Sequence, residues 1–180
     1  MLQITIPAVE NWDQVNETFI QRPEKTIQLE HSLVSVAKWE AKWKKPFFGK
    51  EEKTNEQAID YIRCMTLTKN VDPDIYLGLT RENVEAIKVY IDDTHTATWF
   101  AEDKNAKKSH GIITAEIIYY WMIALQIPIE FQKWHLNRLL TLIRVCNEKN
   151  KPPKKMSKRE ILSRNSQLNA ARRAKLGSMG

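Results

Sequence analysis

Four histidines (His31, His95, His110, His135) and two cysteines (Cys64, Cys146) are the residues of this chain best suited to metal binding or nucleophilic chemistry. Their spacing supports neither. No two of them sit at the short intervals that zinc and catalytic sites use, and no Cys has a His nearby in sequence. The thiols read as two small buried hydrophobes in a reducing compartment. His135 reads as a hydrogen-bonded histidine of a helix. Acidic pairs occur at Asp72/Asp74, Asp92/Asp93 and Glu102/Asp103. Asp92-Asp93-Thr94-His95 is the one that most invites a cation, but a solvated helix end and loop explains it better. The five glycines are scattered at 49, 78, 111, 177 and 180, so no phosphate-cradling loop exists. The residues thus predict no catalysis, no metal and no cofactor.

Two other patterns suit binding. Trp39, Trp43, Phe47 and Phe48 are interleaved with Lys38, Lys42, Lys44 and Lys45. Trp and Phe make good protein-binding anchors, and aromatics among bases also suit single-stranded nucleic acid. The competing reading buries the Trp stripe in a core and wets the lysines, leaving Phe47 and Phe48 as the exposed anchors. The second pattern is charge. Residues 149–180 hold ten Lys/Arg and one acid, Glu160, for a net +9, while residues 1–148 carry −3 of the chain's total +6. Lys154, Lys155, Lys158, Arg159, Arg164, Arg172 and Arg173 are the candidate contacts of this tail. A basic, helix-prone arm could grip nucleic acid, dock on an acidic helical partner, or only confer solubility.

Elements that position these residues follow from periodicity. Leu2, Ile4 and Ile6 alternate with polar residues and read as a strand stopped by Pro7. Thr18–Gln21 and Thr26–Leu29 read as extended, with a turn at Arg22-Pro23-Glu24. From Ser32 the period becomes helical: Leu33, Val36, Trp39 and Trp43 share a face until Pro46. Thr54-Asn55-Glu56-Gln57 is a capping box for a helix with Ala58, Ile59, Ile62 and Met65 inward. A short turn follows Asp72-Pro73, and Thr80 caps a helix with Val84, Ile87 and Ile91 inward. Thr114–Gln126 is apolar nearly all round and predicts a central buried helix, since its uninterrupted apolar run is too short to cross a bilayer. Glu130 to about Lys149 then pairs with it as a helical hairpin across Ile127-Pro128-Ile129. Pro152-Pro153 forms a hinge, and Ser157-Lys158-Arg159-Glu160 opens a last helix that buries little and should be mobile. The fold class is therefore mainly α with a small N-terminal antiparallel sheet: a helical body over 1–150 and a basic tail over 151–180. The N-terminus has no basic flank and no apolar run of signal length, and the chain reads as an intracellular protein.

The block Gln28-Leu29-Glu30-His31-Ser32-Leu33-Val34-Ser35, leading into Lys38-Trp39-Glu40-Ala41-Lys42-Trp43-Lys44-Lys45-Pro46-Phe47, resembles small tail-region proteins of long-tailed bacteriophages of the siphovirus type. Ile59 to Thr66, Ile118 to Met122 and Gln132 to Cys146 resemble the same group, as does Pro152-Pro153-Lys154-Lys155-Met156-Ser157 before a basic helix. Such proteins are labelled tail assembly chaperones. The resemblance implies a chain that binds the tape measure protein, keeps it soluble in the host cytoplasm, and is missing from the finished virion. It also implies self-association or a longer product made by ribosomal frameshifting. No membrane partner is implied. Two alternatives stand beside it: a nucleic-acid-binding phage protein acting through the tail, where binding is expected to be non-specific, and a structural tail component.

Overall fold

Two prolines divide a long hairpin into four strands. β1 (Leu2–Ile6) pairs antiparallel with β4 (Lys25–Leu29), and β2 (Val9–Asp13) pairs with β3 (Thr18–Arg22). The pairings Ile6↔Lys25 and Val9↔Arg22 keep one register, with Pro7 and Pro23 in the gap. Proline lacks the N–H that a ladder needs, so the sheet breaks where each falls. The expected strands at 2–6, 18–21 and 26–29 are present. The expected turn at Arg22-Pro23-Glu24 is not: Pro23 interrupts a single arm, and β3 pairs with Val9–Asp13. That strand escapes a pattern search because Glu10, Asn11 and Asp13 give it no apolar alternation. The structure is a computed structural model describing residues 1–13, 18–100, 111–151 and 157–177, with backbone only at residues 9, 11–13 and 18–21.

Chain contacts define two units, Met1–Asn147 and Glu148–Gly180. In the first, Ile4, Ile6, Ile27 and Leu29 project from β1 and β4 into the core. The other edge of β4 is met by the chain leaving the second helix. Glu30 N–H donates to Met65 O at 2.9 Å and Leu67 N–H to Gln28 O at 2.8 Å. Such pairing keeps a bare strand edge from recruiting another chain.

Six α-helices are assigned among the described residues. α1 (Leu33–Trp43) starts at the Ser32 cap and buries Leu33, Val36 and Trp39. Full burial of a side chain such as Leu33 contributes about 2 kcal/mol. α2 (Asn55–Met65) begins at the Thr54/Gln57 capping box and packs on α1. Its inward face is rotated from the expected one: Gln57, Asp60, Tyr61, Ile62 and Met65 are buried, while Ala58 is exposed. A 3-10 turn at Pro73–Gly78 leads to α3 (Arg81–Asp92), capped by Thr80, with Ile87 and Tyr90 inward and Val84 and Ile91 half-buried.

α4 (Ala115–Ala124) lies on α1, burying Ala115, Ile118 and Met122. It is not a central helix buried all round, since Tyr120 is 66% and Ile123 74% exposed. One apolar face suffices to hold it, and periodicity cannot show that the rest lacks a partner. A 3-10 turn (Ile129–Lys133) then precedes α5 (Leu136–Asn150), so the helix starts six residues later than expected from Glu130. Phe131 and Trp134 lie ahead of it, stacked at 4.0 Å. In the second unit α6 (Lys158–Leu176) is capped by Ser157, ends at the left-handed Gly177 and has no buried residue. No described helix is long and apolar enough to cross a membrane.

Candidate functional site

The region around Trp39 to Phe48 is organised by one buried carboxylate. α1 stops at Lys44, whose left-handed φ of 52° turns the chain out. Glu40, 7% exposed, reaches past that stop. Its Oε1 accepts the Phe47 N–H at 2.6 Å and its Oε2 accepts the Ala115 N–H at 2.7 Å. The cap residue of α4, Thr114, makes no side-chain capping bond. Glu40 takes that place, and its negative charge suits the positive end of the helix.

This clamp holds two walls of a cleft of about 850 Å³. One wall is the loop after α1 with Phe48; the other is the approach to α4 with Ile112 and Ile113. The floor is Trp39, whose Nε1–H donates to Gln57 O at 2.9 Å. Phe47 meets Trp39 edge-on at 5.3 Å and Tyr61 at 4.3 Å. Lys53 covers this pair, donating to Phe47 O at 2.8 Å and lying 4.1 Å over the Phe47 ring. Burial lowers the Lys53 pKa, because the apolar wall disfavours its charge. Lys45 pairs with Glu51 across the rim at 3.0 Å.

Of the four expected anchors, then, Trp39 is a core residue at 2% exposure and is not available to a partner. Trp43 is half-buried, its Nε1–H donating to Asp60 Oδ2 at 2.9 Å, while Lys42 pairs with the other oxygen of that buried carboxylate. Phe47 is also half-buried, contrary to its expected exposure, because the Glu40 clamp pulls its backbone inward. Phe48 is exposed, at 41%, and Ile112 faces the same cleft at 63%. Ile112 carried no signal in sequence; only the fold brings it opposite Phe48.

A second cluster joins histidines far apart in the chain. The His31 and His135 rings lie 5.1 Å apart, and His95 stacks on His135 at 4.1 Å. The backbone zips these segments together, as Leu136 N–H donates to His31 O at 2.7 Å. His135 Nε2 meets Tyr90 O at 3.0 Å, so that nitrogen carries the proton. His135 Nδ1 is buried without a hydrogen-bond partner among the described residues. His31 Nδ1 bonds Tyr61 OH at 2.5 Å. Burial, with a smaller contribution from His135, pushes the His31 pKa down to about 4, and burial also lowers that of His135. The Asp92-to-His95 stretch is the end of α3. Asp93 Oδ1 accepts His95 N–H at 3.0 Å and holds that residue at a φ of 49°. The His95 hydrogen bond lowers the Asp93 pKa.

No group of three or more His, Cys, Asp or Glu among the described residues is placed to hold a metal ion. Cys64 and Cys146 are free and half-buried, less enclosed than expected. Burial raises the Cys64 pKa, which keeps it a thiol.

No protein-family model, curated protein or solved structure matches the chain.

The basic candidates divide between described and undescribed residues. Lys158, Arg159, Arg164, Arg172 and Arg173 lie on α6. Lys154, Lys155 and the Pro152-Pro153 hinge lie outside the described residues, as do Glu102, Asp103 and His110.

Proposed function

We propose that the chain is a non-catalytic tail assembly chaperone of a long-tailed bacteriophage, binding the tape measure protein and keeping it soluble in the host cytoplasm until the tail tube forms. The observation that carries this reading is the exposure of Phe48 and Ile112 on facing walls of the same cleft. Large apolar side chains around a concave surface suit the apolar face of a helix, and a helical rod such as a tape measure is rich in such faces. Tyr120 and Ile123 on α4 are further exposed large apolar side chains. The floor and walls are held by buried hydrogen bonds at Glu40 and Trp39, so little order is lost when a client enters.

The test is co-expression with the tape measure protein of the same phage. The wild-type chain is expected to raise the soluble fraction of the client, and Phe48→Ser with Ile112→Ser to abolish the gain while the chain itself stays folded. No gain with wild type overturns the reading. Mass spectrometry of purified virions separates it from a structural tail role, because a chaperone leaves no peptides there.

A further inference from the structure

α6 has a distribution of charge that a uniformly solvated tail does not require. At 100° per residue, one sector of about 100° holds Glu160, Ser163, Gln167, Ala170, Ala171 and Ala174 and no cation. Arg159 and Arg173 border it on one side, and Arg164 and Lys175 on the other. Glu160, the only acid, is occupied at the first turn, where its Oε2 accepts the Ser157 N–H at 2.7 Å. The helix thus presents a narrow face of small and amide side chains, with Glu160 at its start, between two flanking pairs of cations, while Lys158 and Arg172 lie on the opposite side with Ile161 and Leu162.

We propose that α6 binds duplex DNA, lying in the major groove with Ser163, Gln167 and Ala171 toward the base edges and its two cation rows toward the two phosphate backbones. The major groove admits an α-helix and is walled on both sides by phosphate, which matches cations on both flanks. A glutamine can bond adenine there, and alanine can pack on a thymine methyl. The 19 residues of α6 make a rod of about 28 Å, the length of roughly eight base pairs. Other polyanions fit less well. Single strands are held by aromatic stacking, and residues 149–180 contain no Phe, Tyr or Trp. The major groove of duplex RNA is too deep and narrow to read. An acidic protein helix offers one charged face and would select cations on one side of α6. This inference is independent of the chaperone reading and of its cleft.

The experiment is fluorescence anisotropy of the full chain with a labelled DNA duplex of roughly 20 base pairs at about 150 mM salt. The same sequence as single strand and as duplex RNA, and anionic lipid vesicles, serve as comparisons. Tighter binding to duplex DNA is expected. Gln167→Glu, in the cation-free face, is expected to weaken binding roughly tenfold. Asn169→Glu, on the opposite face and with the same change in net charge, is expected to weaken it much less. Circular dichroism confirms that both variants keep their helix. Equal losses in the two variants, or equal affinity for the comparison ligands, would reduce the interaction to charge and overturn the proposal. No binding of the duplex overturns it outright.

Discussion

Glu40 and Ala115 are 75 positions apart, yet a carboxylate oxygen of one accepts the backbone N–H of the other at 2.7 Å. The second oxygen of Glu40 takes the Phe47 N–H. One side chain therefore caps α4, closes the loop after α1 and ties the two segments together.

Replacing Glu40 should cost more than its place among lysines suggests. Glu40→Ala strips one buried and one partly buried donor of their partner and is expected to destabilise the protein by about 3 kcal/mol. Glu40→Gln retains one acceptor oxygen and is expected to cost about half as much. Urea unfolding at neutral pH measures both. Losses within about 0.5 kcal/mol for both variants would show that the clamp is not structural.

The histidine pair makes stability depend on acid. A buried imidazole resists protonation, and the His31 pKa falls to about 4 from an ordinary 6.5. The unfolded chain then takes up the proton first. The contribution of His31 is complete above about pH 6.5 and drains away as pH falls toward 4, at about 1.4 kcal/mol per pH unit. Denaturation at pH 7.5 and 5.5 should show a loss of about 1 kcal/mol, in part removed by His31→Phe. A flat profile over that interval would contradict the burial argument.

Trp39 and Phe48 should separate stability from binding. Trp39→Ala empties the cleft floor and the core behind it, at about 3–5 kcal/mol. Phe48→Ala removes a side chain that is 41% exposed and should cost about 1 kcal/mol or less. Thermal unfolding reports the first, and client solubility the second. A Phe48 variant as unstable as the Trp39 variant would place Phe48 in the core.

The two faces of α4 give a further contrast. Ile118 is fully buried and Ile123 is 74% exposed. Ile118→Lys buries a charge without a partner and is expected to prevent folding. Ile123→Lys is expected to fold within about 0.5 kcal/mol of wild type and to lower any self-association. Size-exclusion chromatography and urea titration together read both outcomes.

The features legible along the chain are local ones. Thr54 with Gln57, and Ser157 with Glu160, mark helix starts because the capping side chain and its backbone target are three residues apart. Alternation placed β1 and β4, and the charge split separated the tail from the rest. Tertiary structure alone decided which apolar residues stay uncovered and which polar ones are enclosed. α4 is apolar nearly all round, and the position of α1 chose the buried side. His31, His95 and His135 read as isolated until the chain joined Leu136 to His31. The aromatic block was visible at once as a binding candidate. Its division into a buried Trp39 and an exposed Phe48 came from the packing of α1 into the core and from the loop beyond it, which Glu40 ties back at Phe47. Spacing along a chain encodes contacts within a turn or a strand pair, whereas burial depends on which distant surfaces meet.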